Sequence, residues 1–386
     1  MRWVELEDFR NYGREAVEFD PGLNLVSGRN AQGKTNLLEG IYCLGGLGSP
    51  RSADAALVKN GAERALLHAE IRRGTRSIRI DLEFRPGRGQ RALVNRTPVS
   101  GVKALRELTT AVFFGPDDVG VVKGAPDARR RFIDDLVVKL RPGREVVRRD
   151  WERVLRQRNT LLKTAPGRGR SSGSVGETLA VWDESFCRVG AQLAVARLEV
   201  LSALLPYVQK RYEAVAGGGR LELGYDSSWL GADVKGVGHS ATSPDPQEVQ
   251  AMLEAKLEEV RAREIERGVS LVGPQRDDVE IRLLSDGGQG PPVDARVYGS
   301  QGDQRTSALA LKFGEYDLLT DALQDEPILL LDDVFSELDA RRRKWLMESV
   351  GEKGQVIVSS AETAPTEVLG VAQVIEVSEG HVHALK

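Results

Sequence analysis

A chain of 386 residues, 41% apolar and 29% charged, carries enough material for two or three domains with a sizeable core, which excludes disorder throughout. Its formal net charge of −3 gives no global basic signal, so any nucleic-acid binding has to come from local patches. No run of about eighteen apolar residues occurs, and the start, MRWVELEDFRNYG, is charged where a signal peptide needs apolar residues, so a cytoplasmic protein without a membrane span is expected.

Taken in chain order, VELEDF (4–9) alternates as a strand does, AVEF (16–19) can pair with it after the turn Asn11-Tyr12-Gly13, and LNLVS (23–27) is a short apolar strand. KTNLLEGIYCLGGL then sets Leu37, Leu38, Ile41, Tyr42 and Leu44 at helical spacing, so GRNAQGKT (28–35) joins a strand to a helix. After a Gly/Ser/Pro break at 45–50, ALLHAEIRR, SIRIDLEF and RALVNRTPV alternate like antiparallel strands, with Pro98 closing a hairpin-like turn. From about residue 127 the period becomes helical, through DARRRFIDDLVVKL, REVVRRDWERVLRQRNTLLK, ETLAVWDESFCRVGAQLAVARLEVLSALLPYVQKRYEAV and PQEVQAMLEAKLEEVRAREIERG. A Gly/Ser/Pro loop, TAPGRGRSSGSVG (164–176), joins two of these helices and suggests an antiparallel arm. RLELGYDSSW (220–229) reads as a strand within this region, DDVEIRLL (277–284) returns to strand character, and the chain ends in an α/β segment. The expected organisation is an α/β head in two parts, 1–126 and 271–386, split by a mostly helical arm, 127–270.

Cys43 and Cys187 lie far apart without metal-ligand spacing and are expected to be buried thiols. Basic stretches stand at 128–131, 141–159, 167–170 and 341–344; each is a candidate for binding phosphates and equally a solvated face.

GRNAQGKT has the pattern G-x-x-x-x-G-K-[ST], which a chain with 41 glycines produces by chance on the order of a few per cent of the time. The strand before it and the helix after it favour a phosphate cradle over a turn with an exposed lysine. Glycines let successive N–H groups face a phosphate at the positive end of a helix, which makes Gly28, Arg29, Asn30, Ala31, Gln32, Gly33, Lys34, Thr35 and Asn36 candidate nucleotide-binding residues. Lys34 would reach the β- and γ-phosphates and the Thr35 hydroxyl would ligate Mg²⁺. Far downstream, PILLLDDVFSELD (327–339) is an apolar strand ending in two carboxylates. Paired with the loop, Asp332 would hold the Mg²⁺ shell and Asp333 would orient or deprotonate the attacking water, with Lys34 and Asp333 as the catalytic pair. Alone, such a strand end is also a simple turn or helix cap.

SQGDQ (300–304) opens a helical stretch before that strand, and FSELD (335–339) follows it. Strand, P-loop, helical insertion, signature, Walker B and D-loop in this order resemble the SMC and Rad50-like ABC-type ATPases. DFRNYG (8–13), FFGPDDVGVVKGAPDARRRFID (113–134), LVGPQRDDVEI (271–281) and YGSQGDQR (298–305) make the chain similar, over nearly its whole length, to the RecF family of bacterial recombination mediators within that group.

The resemblance implies a P-loop ATPase head with an antiparallel β subdomain and an ATP-dependent homodimer. In it the signature Ser300, Gly302, Asp303 and Gln304 meets the nucleotide on the partner's loop, and Asp339 crosses the interface. It also implies Arg10 and Asn11 near the adenine, binding of duplex, gapped or junction DNA, and weak ATPase activity as a switch. The implied role is in DNA repair, the SOS response and fork recovery, with RecR and indirectly RecO helping to load RecA. Departures from the pattern are Ser359 and Ser360 where cassette ATPases place a sensing His, Asp333 where many have Glu, and FFGPDD where a Q-loop glutamine is usual. Slow turnover is therefore expected. Arg276 and Asp277 of GPQRDD could form a structural ion pair. An ATPase subunit of a Rad50-like nuclease complex and a P-loop small-molecule kinase are the alternative functions.

Overall fold

Strands form where the sequence alternates and where it is apolar throughout. The computed structural model describes residues 1–99, 101–164, 173–231, 234, 244–284, 291–351, 353–361 and 370–385. Their strands are β1 (Trp3–Glu7), β2 (Arg14–Glu18), β3 (Leu23–Ser27), β4 (Ala65–Arg73), β5 (Arg76–Arg85), β6 (Gly89–Val94), β7 (Thr97–Pro98), β8 (Ala111–Phe114), β9 (Arg220–Asp226), β10 (Asp278–Leu284), β11 (Val293–Asp294), β12 (Ile328–Asp332), β13 (Val356–Ser360), β14 (Gln373–Ser378) and β15 (His381–Leu385). Two units contain them, one made of Met1–Val119 with Ala308–Lys386 and the other of Gly120–Ser307.

The first unit holds two six-stranded sheets. One runs β15-β14-β3-β13-β12-β8, parallel except for the edge strand β15. Strands β3, β8, β12 and β13 are buried at every residue, which is why they read as continuous apolar runs. The other sheet is antiparallel, in the order β2-β1-β4-β5-β6-β7, and alternates inward and outward residues. Leu37, Leu38 and Ile41 of the Lys34–Cys43 helix join Leu6 and Leu67 of the antiparallel sheet and Leu330 and Ile357 of the parallel one in a single buried cluster. Gly40 permits this approach, since a Cβ there would stand 2.9 Å from Leu6 Cδ2. The turn expected at Pro98 lies instead at Asn95 and Arg96, whose φ values of 50° and 67° are those of a two-residue hairpin turn. Pro98 belongs to the short returning edge strand and stands opposite Leu93.

The second unit carries the helices Pro126–Leu140, Glu145–Thr164, Gly173–Ala216 and Pro246–Arg267 and the sheet β11-β10-β9. Of the stretch 164–176 expected as a loop, Thr164 ends one helix and 173–176 begin the next, while residues 165–172 lie outside the described ones. Within the long helix, Leu179–Ala216 is long and apolar enough to cross a membrane by composition, yet 67% of its most apolar window is buried inside the protein. It is the core helix of the unit, flanked by the Glu145–Thr164 and Pro246–Arg267 helices.

Buried charges tie this unit together. Arg158, wholly buried, donates to Asp183 (2.8 Å), Glu264 (2.6 Å) and Ser270 (2.7 Å). Arg129 makes a two-pronged pair with Asp278, and Arg197 does the same with Asp134. Asp277 accepts from the Tyr225 hydroxyl and Trp229 Nε1, each at 2.9 Å, while Arg276 is exposed and reaches the Ser270 carbonyl, so the ion pair expected between Arg276 and Asp277 is replaced by these contacts. Residues 271–307, grouped with the head by sequence, fall in this unit because β10 pairs along its length with β9 and because Arg129 and Arg130 hold Asp278 and the Asp277 carbonyl. Both cysteines are buried free thiols, as expected.

Candidate nucleotide site

Parallel pairing brings the carboxyl ends of β3, β13 and β12 side by side, with Ser27 opposite Ser360 and Asp332 opposite Ser359. In open α/β sheets this edge is where ligands are received. A cavity of about 350 Å³ lies there, lined by Asn30, Ala31, Gly33, Lys34, Thr35, Asn36, Arg51, Pro116, Asp332, Asp333 and Ser359.

The loop is held by segments distant in sequence. Tyr12 Oη donates to the Gly33 carbonyl (2.9 Å), Asn11 Nδ2 to the Gln32 carbonyl (3.0 Å), and Asn36 Nδ2 to Asn11 Oδ1 (2.8 Å). From the turn between β14 and β15, the Glu379 N–H donates to Gln32 Oε1 and the Gly380 N–H to the Gln32 carbonyl. Gly28 and Gly33 take φ values of 151° and 122°; a Cβ on Gly28 would strike the Val377 carbonyl, and one on Gly33 would stand 2.8 Å from Asn11 Nδ2 and Tyr12 Oη. Gly28, Arg29 and Gln32 thus shape the loop through their backbones and its bracing rather than lining the cavity.

Lys34 begins the helix, is almost wholly buried, and donates to the carbonyls of Gly28 (2.7 Å) and Arg29 (2.9 Å). Burial lowers its pKa, while the nearby carboxylates of Asp333 and Asp332 work in the other direction. Thr35 Oγ1 donates to Asp332 Oδ1 at 2.9 Å, joining residues 297 apart in sequence. The Ser359 hydroxyl donates to the same oxygen at 2.7 Å and accepts the Asp333 N–H at 3.0 Å, so one side chain holds both aspartates. Burial raises the pKa of Asp332 against the pull of the Ser359 and Thr35 hydroxyls. Asp333 sits in the left-handed region with φ 47° in the turn after β12 and lines the cavity.

Among the described residues no group of three or more His, Cys, Asp or Glu could hold a metal. One carboxylate and one hydroxyl, Asp332 and Thr35, do suit an Mg²⁺ whose remaining ligands are waters and phosphate oxygens. Arg51 lines the cavity and was missed in the sequence; its partner Glu39 is wholly buried and also takes Arg10 and Ser49. A carboxylate between Leu38 and Gly40 on the inward face of an apolar helix is the signal that could have found this cluster, since such a group needs cationic partners. Arg10, expected near the adenine, is occupied by Glu39 and Ser52, whereas Asn11 does touch the loop. Pro116 of FFGPDD also lines the cavity, and the described histidines do not.

The signature residues belong to the second unit and start the Gln301–Leu323 helix. Ser300 and Asp303 form a reciprocal cap: the Ser300 hydroxyl and N–H donate to Asp303 Oδ2 (2.7 and 3.0 Å), and the Asp303 N–H donates back to Ser300 Oγ (3.2 Å). Gln304 Nε2 donates to the carbonyls of Ala295 and Arg296, and the Gly302 carbonyl accepts from Thr306. Asp339 caps the Ala340–Gly351 helix, accepting from the Arg342 N–H and pairing with its guanidinium.

Comparison with known proteins gives a match over residues 1–382 to the family described as RecF/RecN/SMC N-terminal domain. A DNA replication and repair protein RecF of Streptomyces avermitilis is 43% identical over 98% of both chains. One of Beutenbergia cavernae is 43% identical over 95% of both. A solved structure of the recombination mediator protein RecF with ATP in the RecFOR pathway is 26% identical, covering 100% of this chain and 97% of that one, with a TM-score of 0.86. An SMC head bound to the C-terminal winged-helix domain of ScpA shares the fold at 15% identity and a TM-score of 0.54.

Proposed function

Because the chain belongs to the RecF family, within the RecF/RecN/SMC N-terminal domain family, we propose that it is a cytoplasmic ATP-dependent DNA-binding protein acting in recombinational repair and fork recovery. One observation carries the ATPase part: the Thr35 hydroxyl on the Asp332 carboxylate at 2.9 Å, beside Lys34, beneath a braced glycine loop.

In this reading the loop N–H groups and Lys34 carry the charge of the β- and γ-phosphates. Thr35 and Asp332 hold an Mg²⁺, which supplies charge neutralisation when bound. Asp333 orients the attacking water and accepts its proton, and Ser359 holds the Asp332 carboxylate and the backbone of Asp333. Asp is shorter than Glu, so its reach to the water is less and turnover is slow, as suits a switch. Ser300, Gly302, Asp303 and Gln304 of a second copy complete the site, with Asp339 at the same interface, so ATP links two heads and hydrolysis separates them. Ser300 must exchange its bond to Asp303 for a phosphate when the heads meet. Basic surfaces of the dimer take duplex, gapped or junction DNA through its backbone. RecR as partner, with RecO and RecA indirectly, completes the reading; the RecFOR pathway named for the solved RecF relative supports RecR and RecO.

Solution mass with and without ATP–Mg²⁺ tests this. Wild type should become a dimer, Asp333→Asn should remain one, and Lys34→Arg and Ser300→Arg should stay monomeric. A mass that never changes while hydrolysis is intact would mean a self-contained P-loop enzyme instead.

A further inference from the structure

The Glu145–Thr164 helix buries Trp151, Val154, Arg158 and Leu162 and turns its opposite side to solvent. On that side Arg149, Arg153, Arg156, Thr160 and Lys163 are all exposed. At 3.6 residues per turn they fall within an arc of about 80°, and from Arg149 to Lys163 the stripe runs about 21 Å. Arg153 and Arg156 are 64% and 70% exposed, and their partners, Asp150 at 3.2 Å and Glu152 at 3.8 Å, flank the stripe rather than interrupt it. Exposed ion pairs of this kind hold their arginines weakly and release them to a stronger anion. The Pro246–Arg267 helix, packed on the same long core helix, carries no such stripe: its exposed Glu248, Glu254, Glu258, Glu259 and Glu266 are interspersed with exposed Arg263 and Arg267. The stripe is therefore a local basic surface on a chain that as a whole is nearly neutral.

We propose that this stripe on the Glu145–Thr164 helix docks the sugar–phosphate backbone of duplex DNA, an assignment that rests on the DNA-binding reading above and names its contact residues. Phosphates recur about every 3.4 Å of axis along each strand, so the stripe spans about six of them. No aromatic side chain stands among its residues, which disfavours stacking of single-stranded bases and favours sequence-independent backbone contact.

The test is fluorescence anisotropy of a 30-base-pair duplex of arbitrary sequence with the full chain and ATP–Mg²⁺ over 50–300 mM salt. For Arg149→Gln/Arg153→Gln/Arg156→Gln the slope of log K against log salt should lose about 2.7, with binding about 500-fold weaker at 0.1 M, since each contact contributes about 0.9. Glutamine retains helix propensity at these exposed sites, so the variant should fold. Glu152→Lys, beside the stripe, should steepen the slope by about 0.9. An equal charge change elsewhere, Arg72→Gln/Arg76→Gln/Arg96→Gln on the turns of the antiparallel sheet, should change little. If the stripe variant binds like wild type, or loses no more than the turn variant, the assignment is overturned while DNA binding stands. If wild type takes no duplex at all, the DNA-binding reading falls with it. If the stripe variant keeps its DNA but loses self-association, the stripe meets a second copy of the chain and the proposal is wrong.

Discussion

Glu39→Gln probes the cluster behind the cavity. Glu39 has no exposed side-chain surface and accepts from Arg10 Nε (2.9 Å) and Nη2 (2.7 Å), from Arg51 Nη2 (2.8 Å) and from Ser49 Oγ (2.5 Å). Glutamine keeps the shape, removes the charge, and turns an amide donor towards a guanidinium. Breaking a buried pair from one side costs about 3–5 kcal/mol. Water recovers part of this, because the Arg10 and Arg51 side chains are 20% and 27% exposed, which leaves about 2–3 kcal/mol.

Burial alone would raise the Glu39 pKa, but the hydrogen bonds from Arg10, Ser49 and Arg51 outweigh it and hold the carboxyl below its ordinary value. Its contribution is therefore complete above the unfolded-state pKa and is lost as pH falls through the folded one. Urea unfolding at pH 7 should show the full deficit of Glu39→Gln, and the gap from wild type should narrow below about pH 4.5. Arg51 lines the cavity, so nucleotide affinity should fall as well. A deficit under about 0.5 kcal/mol at pH 7, the scale of an ordinary surface substitution, would refute the reasoning.

Arg158→Met leaves Asp183 and Glu264 buried without their shared cation and should cost the helical unit about 3–5 kcal/mol, seen by calorimetry as a lowered or separate transition. Burial pushes the Asp277 carboxyl up to about 6 despite its Tyr225 and Arg197 neighbours, so the folded state binds its proton more tightly than the unfolded one. Stability should fall by about 2 kcal/mol as pH rises from 4 to 7, and Asp277→Asn should remove that part of the pH dependence. Ser359→Ala removes a hydrogen bond to the Asp332 carboxylate, worth about 1.5–3 kcal/mol, and should raise the Mg²⁺ needed for half-maximal hydrolysis at least tenfold while leaving metal-free nucleotide binding unchanged.

What the sequence disclosed follows from locality. GRNAQGKT lies between an apolar strand and an amphipathic helix, and ILLLDD states its own burial, so period and composition suffice to place Lys34, Thr35, Asp332 and Asp333. The hairpin turn at Asn95-Arg96 was missed because it contains no glycine, although asparagine is the side chain that best tolerates the left-handed region. The bracing of Gln32 by Asn11 and by Glu379, 347 residues away, has no local mark at all. The same holds for Arg129 and Asp278, 149 residues apart, whose pairing draws residues 271–307 into the helical unit. At SQGDQ a helix cap and a γ-phosphate contact call for the same serine, so the sequence alone does not separate them, and the folded chain shows the cap.

The cavity also makes a demand on its ligand. Its ionisable lining is two cations, Lys34 and Arg51, and two anions, Asp332 and Asp333, which sum to zero. A bare triphosphate gains attraction from the first pair and meets repulsion from the second, whereas a triphosphate with a divalent cation satisfies both. Metal-free nucleotide should therefore bind weakly, and Asp333→Asn, by removing one anion, should strengthen it. At a separation of about 10 Å and an effective dielectric of about 20, one unit charge is worth about 1.7 kcal/mol, or about 15-fold in affinity for each unit of ligand charge. Titration of a fluorescent ATP analogue in EDTA and in Mg²⁺ separates the two cases. If Asp333→Asn tightens binding in EDTA, Asp333 faces the phosphates as the turn after β12 suggests; if affinity is unmoved there, its carboxylate is directed elsewhere and cannot serve the attacking water.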